Sequence, residues 1–148
     1  MRVTIPPIVS CPYFYPVQRR AGEAGSRTAL LPLGDLWAGI CRAVPGDPCE
    51  PEETALRTLC HFGYARGQCG RFPADDRGAD AVRFTVRRDD GVSLRLYYVL
   101  ERDHHPFAHG PLEYSVKTAC FAQPPADAIV SRQAEAYVAS YLWRKARS

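Results

Sequence analysis

Cys11, Cys41, Cys49, Cys60, Cys69 and Cys120 hold most of the latent chemistry of this 148-residue chain. Thiolates ligate zinc and iron–sulfur centres, and they act as nucleophiles when a neighbour activates them. Four of the six stand in distinctive surroundings. Cys11 precedes a proline in SCPYFYP, Cys41 and Cys60 close two stretches of apolar repeat, and Cys69 lies in the glycine-rich run CHFGYARGQCGRFP. The resulting set, Cys-x29-Cys-x18-Cys-x8-Cys, can supply four thiolates to one centre.

Structural zinc is usually announced by close pairs such as C-x2-C, because one tight knuckle presents two thiolates to a tetrahedral ion. No such pair is present. A [4Fe–4S] cluster is wider and takes one cysteine per iron, so ligands scattered over separate elements suit it better. Gly63, Gly67 and Gly70 would let backbone approach such a cluster, and Arg66 and Arg71 would offset its negative charge. The expectation is therefore a [4Fe–4S] cluster held by Cys11, Cys41, Cys60 and Cys69, with zinc as the alternative. Cys49, in a Pro-Gly turn, and Cys120, in a strand, fall outside the set. The plain competitor is that reduced cysteines simply fill the core as small hydrophobes.

Three of the four histidines, His104, His105 and His109, fall in one short segment beside Glu101, Asp103 and Glu113. Such a group could hold a metal or serve as general acids and bases, which makes a metal-dependent enzyme the third expectation. Pro106 prevents the segment from presenting ligands on one helix face, and no H-E-x-x-H spacing is present. His61, next to Cys60, could replace a thiolate or donate to a bound centre. Tyr13, Phe14 and Tyr15 with Arg19 and Arg20, and the strand face of Arg83, Arg87, Arg95 and Tyr97, could stack on single-stranded nucleic acid. A zinc-stabilised module for nucleic acid or protein is the second expectation. No phosphate loop, dinucleotide-binding glycine fingerprint or Gly-x-Ser-x-Gly elbow appears.

The net charge of +3 rests on 17 arginines and only two lysines, Lys117 and Lys145, spread along the chain without a basic run. No segment is apolar for long enough to span a bilayer, and Pro6 and Pro7 break the first apolar stretch before it could act as a secretion signal. The expectation is a cytoplasmic protein without a membrane partner, in which thiols stay reduced.

The elements that must position these groups read as one small α+β domain. Residues 1–32 are proline-rich and suggest a loop-rich arm. Residues 33–72 suggest two short cysteine-bearing helices and a Gly-rich loop. The first helix is read from Leu33, Leu36, Trp37, Ile40 and Cys41, the second from Pro51 through Leu56, Leu59 and Cys60. Residues 81–120 suggest a small antiparallel sheet. Its core is a β-hairpin turning at Asp89-Asp90-Gly91, and a short third strand falls around Tyr114 to Cys120. Residues 127–146 suggest a C-terminal amphipathic helix capped by Asp127.

Overall fold

The computed structural model of the chain describes residues 9–20, 31–62, 64–65, 68–73 and 78–147. Among them the architecture is α+β, with two antiparallel sheets and a long C-terminal helix. The smaller sheet pairs β1 (Phe14–Arg19) with β2 (Trp37–Cys41). The larger is a meander in which β3 (Ala81–Asp89), β4 (Ser93–Arg102), β5 (His105–Ser115) and β6 (Cys120–Phe121) lie in sequence order. Between the sheets in the chain stand one helical turn, α1 (Glu53–Ala55), and a π-helical continuation, Leu56–Cys60. Helix α2 (Ala128–Arg147) closes the chain.

The expectation of two N-terminal helices is corrected. Leu33, Leu36, Trp37 and Cys41 are buried, as a helical stripe would require, yet Trp37–Cys41 is extended. Pairing with β1 overrides the local pattern, and Gly39 makes it feasible. A Cβ at Gly39 would stand 2.2 Å from the Tyr15 carbonyl oxygen and 2.9 Å from the Phe14 ring. The apolar spacing therefore reported burial, not conformation. The second segment does coil, but it widens after one turn, and the His61 N–H donates to the Leu56 carbonyl at 2.8 Å. That i→i+5 bond turns the last residues differently from an α-helix.

Of the loop-rich arm expected over residues 1–32, residues 1–8 and 21–30 lie outside the described residues. Its described part contains strand β1, and Ser10 is bridged to Val82 by N–H···O bonds of 2.7 and 2.9 Å, which covers the free edge of β3. The third strand is also longer than expected and starts earlier. Asp103 and His104 both take positive φ, 52° and 64°, and form a two-residue turn that sends the chain straight back as β5. Pro106 and Pro111 fit there because, among the described residues, β5 pairs along its outer edge with β6 only at Tyr114 and Ser115.

At the β3–β4 turn the Asp90 carboxylate accepts the Val92 and Ser93 N–H groups, and Gly91 takes φ +85°. Asp127 caps α2 by accepting from Ile129 at 2.8 Å and Val130 at 3.0 Å. The buried face of α2, with Val130, Ala134 and Val138, joins Phe14 and Trp37 of the small sheet to Val82, Phe84, Leu94 and Leu96 of the large one in a single core. Among the described residues, no helix is long and apolar enough to cross a membrane.

Candidate metal centre

The four cysteines singled out by spacing line one small apolar cavity of about 20 Å³, walled also by Phe14, Leu59 and Phe72. They reach it from four separate segments. Cys11 follows the Ser10 bridge, and its N–H donates to the Cys60 carbonyl at 2.9 Å. Cys41 ends β2 opposite Phe14. Cys60 ends the π-helical segment. Cys69 sits in a tight turn, its N–H bonded to the Ala65 carbonyl at 2.8 Å while its own carbonyl accepts from Phe72 at 3.1 Å. Cys11, Cys41 and Cys60 are buried and Cys69 is half-buried.

Position in the core has an electrostatic cost for ionised sulfur. Burial pushes the Cys11 and Cys60 thiols far above the ordinary range, and the neighbouring cysteines push them further. These sulfurs are thus near enough to oppose one another's ionisation. The Arg71 guanidinium is a nearby positive charge, held on the Asp47 carboxylate at 3.3 Å, and it opposes the desolvation-driven rise of the Cys49 thiol. As the side chains stand, no group of three or more His, Cys, Asp or Glu among the described residues is placed to hold a metal ion.

The first turn of the site is fixed from a distance by Gln133, which sequence reasoning missed. Fully buried on α2, its amide donates to the carbonyls of Cys11 and Phe14, both at 2.8 Å, and its oxygen accepts the Ser10 hydroxyl at 2.5 Å. A glutamine inside the stripe of Val130, Ala134 and Val138 was the available signal, since a buried amide must find partners.

His61 is 3% exposed, and its Nε2 accepts the Trp37 N–H at 3.0 Å. That nitrogen is therefore occupied, and burial holds the imidazole neutral, with its pKa down at about 4. Gly70 is not a forced close approach, since a Cβ there would meet nothing within 4 Å. Gly63, Arg66 and Gly67 lie outside the described residues. Cys120 is exposed on β6, bonded to Thr118. Cys49, a free thiol, pairs through its backbone with Cys41 in an isolated antiparallel β-bridge.

The three clustered histidines, His104, His105 and His109, are exposed and part company. His104 stacks on Tyr64 with ring centroids 4.1 Å apart, His105 pairs with Arg102, and His109 Nδ1 meets the Tyr97 hydroxyl. Two of their prospective acidic partners are engaged elsewhere. Glu101 takes Arg83 at 3.0 Å together with the Tyr64 hydroxyl, and Glu113 takes Arg95 at 2.7 Å. The aromatic and basic residues of segment 13–20 are used internally too. Phe14 is buried, Tyr13 packs on Phe72, and Arg42 covers Tyr15. Arg19 meets Asp35 and Trp143, and Arg20 meets Glu53. On the outer sheet face Arg83, Arg87 and Tyr97 border a cleft of about 270 Å³. Comparison with family models, curated proteins and solved structures yields no match to this chain.

Proposed function

We propose that Cys11, Cys41, Cys60 and Cys69 hold one metal centre, a [4Fe–4S] cluster, which staples the small sheet and the π-helical segment to the body of the protein. The observation that carries this reading is the convergence of four thiols, from four separate segments, on one apolar cavity. Neutral thiols could also fill such a cavity as small hydrophobes, so the metal content of the purified protein decides between packing and ligation. A bound cation reverses the mutual repulsion of the ionised sulfurs, because it replaces the thiol protons and offsets the thiolate charges. Loading requires the sulfurs to turn toward a common point, which for cysteine is a change of one side-chain torsion. Ligands spread over distant segments, without a close pair, favour the cluster. We place the protein in the cytoplasm, where thiols such as these stay reduced.

One observation favours the second reading, a single zinc ion. A cavity of about 20 Å³ is nearer the size of one small ion than of a cluster, which would need the lining to open. Zinc bonds sulfur at about 2.3 Å, so all four sulfurs would have to close in.

Purification without oxygen, a visible spectrum, and measurement of iron, sulfide and zinc decide between them. Brown protein with about four irons and four sulfides per chain is expected. The colour should survive Cys120→Ala and vanish with Cys60→Ala. Colourless protein with one zinc per chain establishes the second reading, and stably folded, metal-free protein refutes both.

A further inference from the structure

Cys49 lies outside the set of four but directly faces one of its members. The Cys41 N–H donates to the Cys49 carbonyl at 2.7 Å, and the Cys49 N–H donates to the Cys41 carbonyl at 3.2 Å. Antiparallel residues that exchange both bonds have Cα atoms about 5.5 Å apart, within the roughly 4.4–6.8 Å of disulfides. Directly opposite residues of an antiparallel pair carry their side chains on the same face, so the two thiols project to one side of the ladder. The intervening loop is held tight by Gly46 at φ +78° and by a 3.0 Å bond from the Asp47 N–H to the Val44 carbonyl. Asp47 in turn pairs with Arg71 at 3.3 Å. Cys41 is buried and Cys49 half-buried, so the pair has one accessible member and one withdrawn member.

We propose that Cys41 and Cys49 form a redox dithiol, which low-molecular-weight disulfides such as glutathione disulfide convert to a cross-strand disulfide, withdrawing Cys41 from the four-cysteine centre. The withdrawal rests on the centre proposed above; the dithiol itself does not. In the first step the Cys49 sulfur, having given its proton to water, attacks one sulfur of glutathione disulfide. A protein–glutathione bond forms, the original S–S bond breaks, and one glutathione leaves and takes up a proton. In the second step the Cys41 sulfur loses its proton and attacks the Cys49 sulfur, and the second glutathione departs in the same way. Two protein thiols lose two electrons, and one glutathione disulfide becomes two glutathiones. A half-exposed bridge of this kind is also open to attack by thiols, which makes the change reversible.

Trypsin separates the two cysteines at Arg42, so the bridge is directly readable. Purified protein is treated with glutathione disulfide, its free thiols are alkylated, and the tryptic peptides are weighed without reduction. The expected product is Thr28–Arg42 joined to Ala43–Arg57, lighter than their sum by two hydrogens and separated by reductant. Metal is measured in the same samples. The native chain loses most of its metal, while Cys49→Ser and Cys49→Ala keep theirs. Linkage in protein purified without metal supports the dithiol and refutes the centre. Linkage with all metal retained overturns the withdrawal of Cys41. Absence of any Cys41–Cys49 product, an unresolved glutathione adduct on Cys49, or a bridge from Cys41 to Cys11, Cys60 or Cys69 overturns the proposal.

Discussion

Replacing Gln133 with leucine preserves bulk in the middle of α2 and removes three buried hydrogen bonds at once. The Cys11 and Phe14 carbonyls each lose a donor at 2.8 Å, and the Ser10 hydroxyl loses its acceptor at 2.5 Å. A typical bond of this kind contributes about 1 kcal/mol net, and a buried group left without a partner costs about 1–3 kcal/mol. Two of the three groups keep another contact: the Ser10 hydroxyl reaches the Val82 carbonyl at 3.3 Å, and the Cys11 carbonyl accepts the Phe14 N–H at 3.2 Å. The lower figure therefore applies, and Gln133→Leu should cost about 3 kcal/mol. Against a total stability of about 5–15 kcal/mol, that is a large loss for one residue without charge. Urea denaturation reads it as a fall in midpoint at unchanged slope. The same substitution loosens the turn that carries Cys11, so metal retention during dialysis against a chelator should fall with it. A loss below about 1 kcal/mol, measured on metal-free protein, would refute the clamp, because leucine burial cannot replace three polar contacts at that position.

Gly39→Ala should be worse, since its methyl group would meet the Tyr15 carbonyl at 2.2 Å and the Pro16 Cα at 2.9 Å. Separation of β1 from β2, seen as a loss of more than about 3 kcal/mol or as insoluble protein, is the expected result. Stripping the metal with a chelator under reducing conditions should lower the unfolding midpoint by an amount equivalent to about 4 kcal/mol at a thousandfold excess over the dissociation constant; an unchanged midpoint would deny the centre a structural role. Acid should weaken the contact between α2 and the β3–β4 turn. The Tyr141 hydroxyl and Lys145 ammonium hold the Asp89 carboxyl down at about 2, so its contribution is complete above about pH 4 and fades as pH falls toward 2. Asp89→Asn should remove that part of the acid dependence in urea midpoints measured between pH 4 and 2. In the opposite direction Asp89 raises the Tyr141 phenol to about 12, so stability from this contact should fade as pH rises from about 10 to 12, and Tyr141→Phe should abolish the effect.

Alternation of apolar and polar residues between Val82 and Leu100, with Asp90 and Gly91 at the turn, dictates a hairpin because strand side chains alternate with period two. The stripe from Val130 to Leu142 behind Asp127 dictates a capped helix for the same kind of local reason. The burial of Leu33, Leu36, Trp37 and Cys41 was equally legible, but their conformation was not. Only the approach of β1, tolerated by the missing side chain of Gly39, makes that stretch a strand. The β4–β5 turn was hidden because Asp103-His104 is an unusual pair for two positive φ angles, and because prolines argue against a strand unless it lies at an edge.

Residue type and spacing singled out Cys11, Cys41, Cys60 and Cys69 by themselves, since a reactive side chain is visible wherever the chain places it. Their meeting in one cavity, the hold of Gln133 on the Cys11 turn, and the pairing of Cys41 with Cys49 were decided only by the tertiary structure. Each of these joins segments remote in sequence or on opposite sides of a turn, and such contacts are set by packing and hydrogen bonding across the folded molecule, which no local pattern encodes.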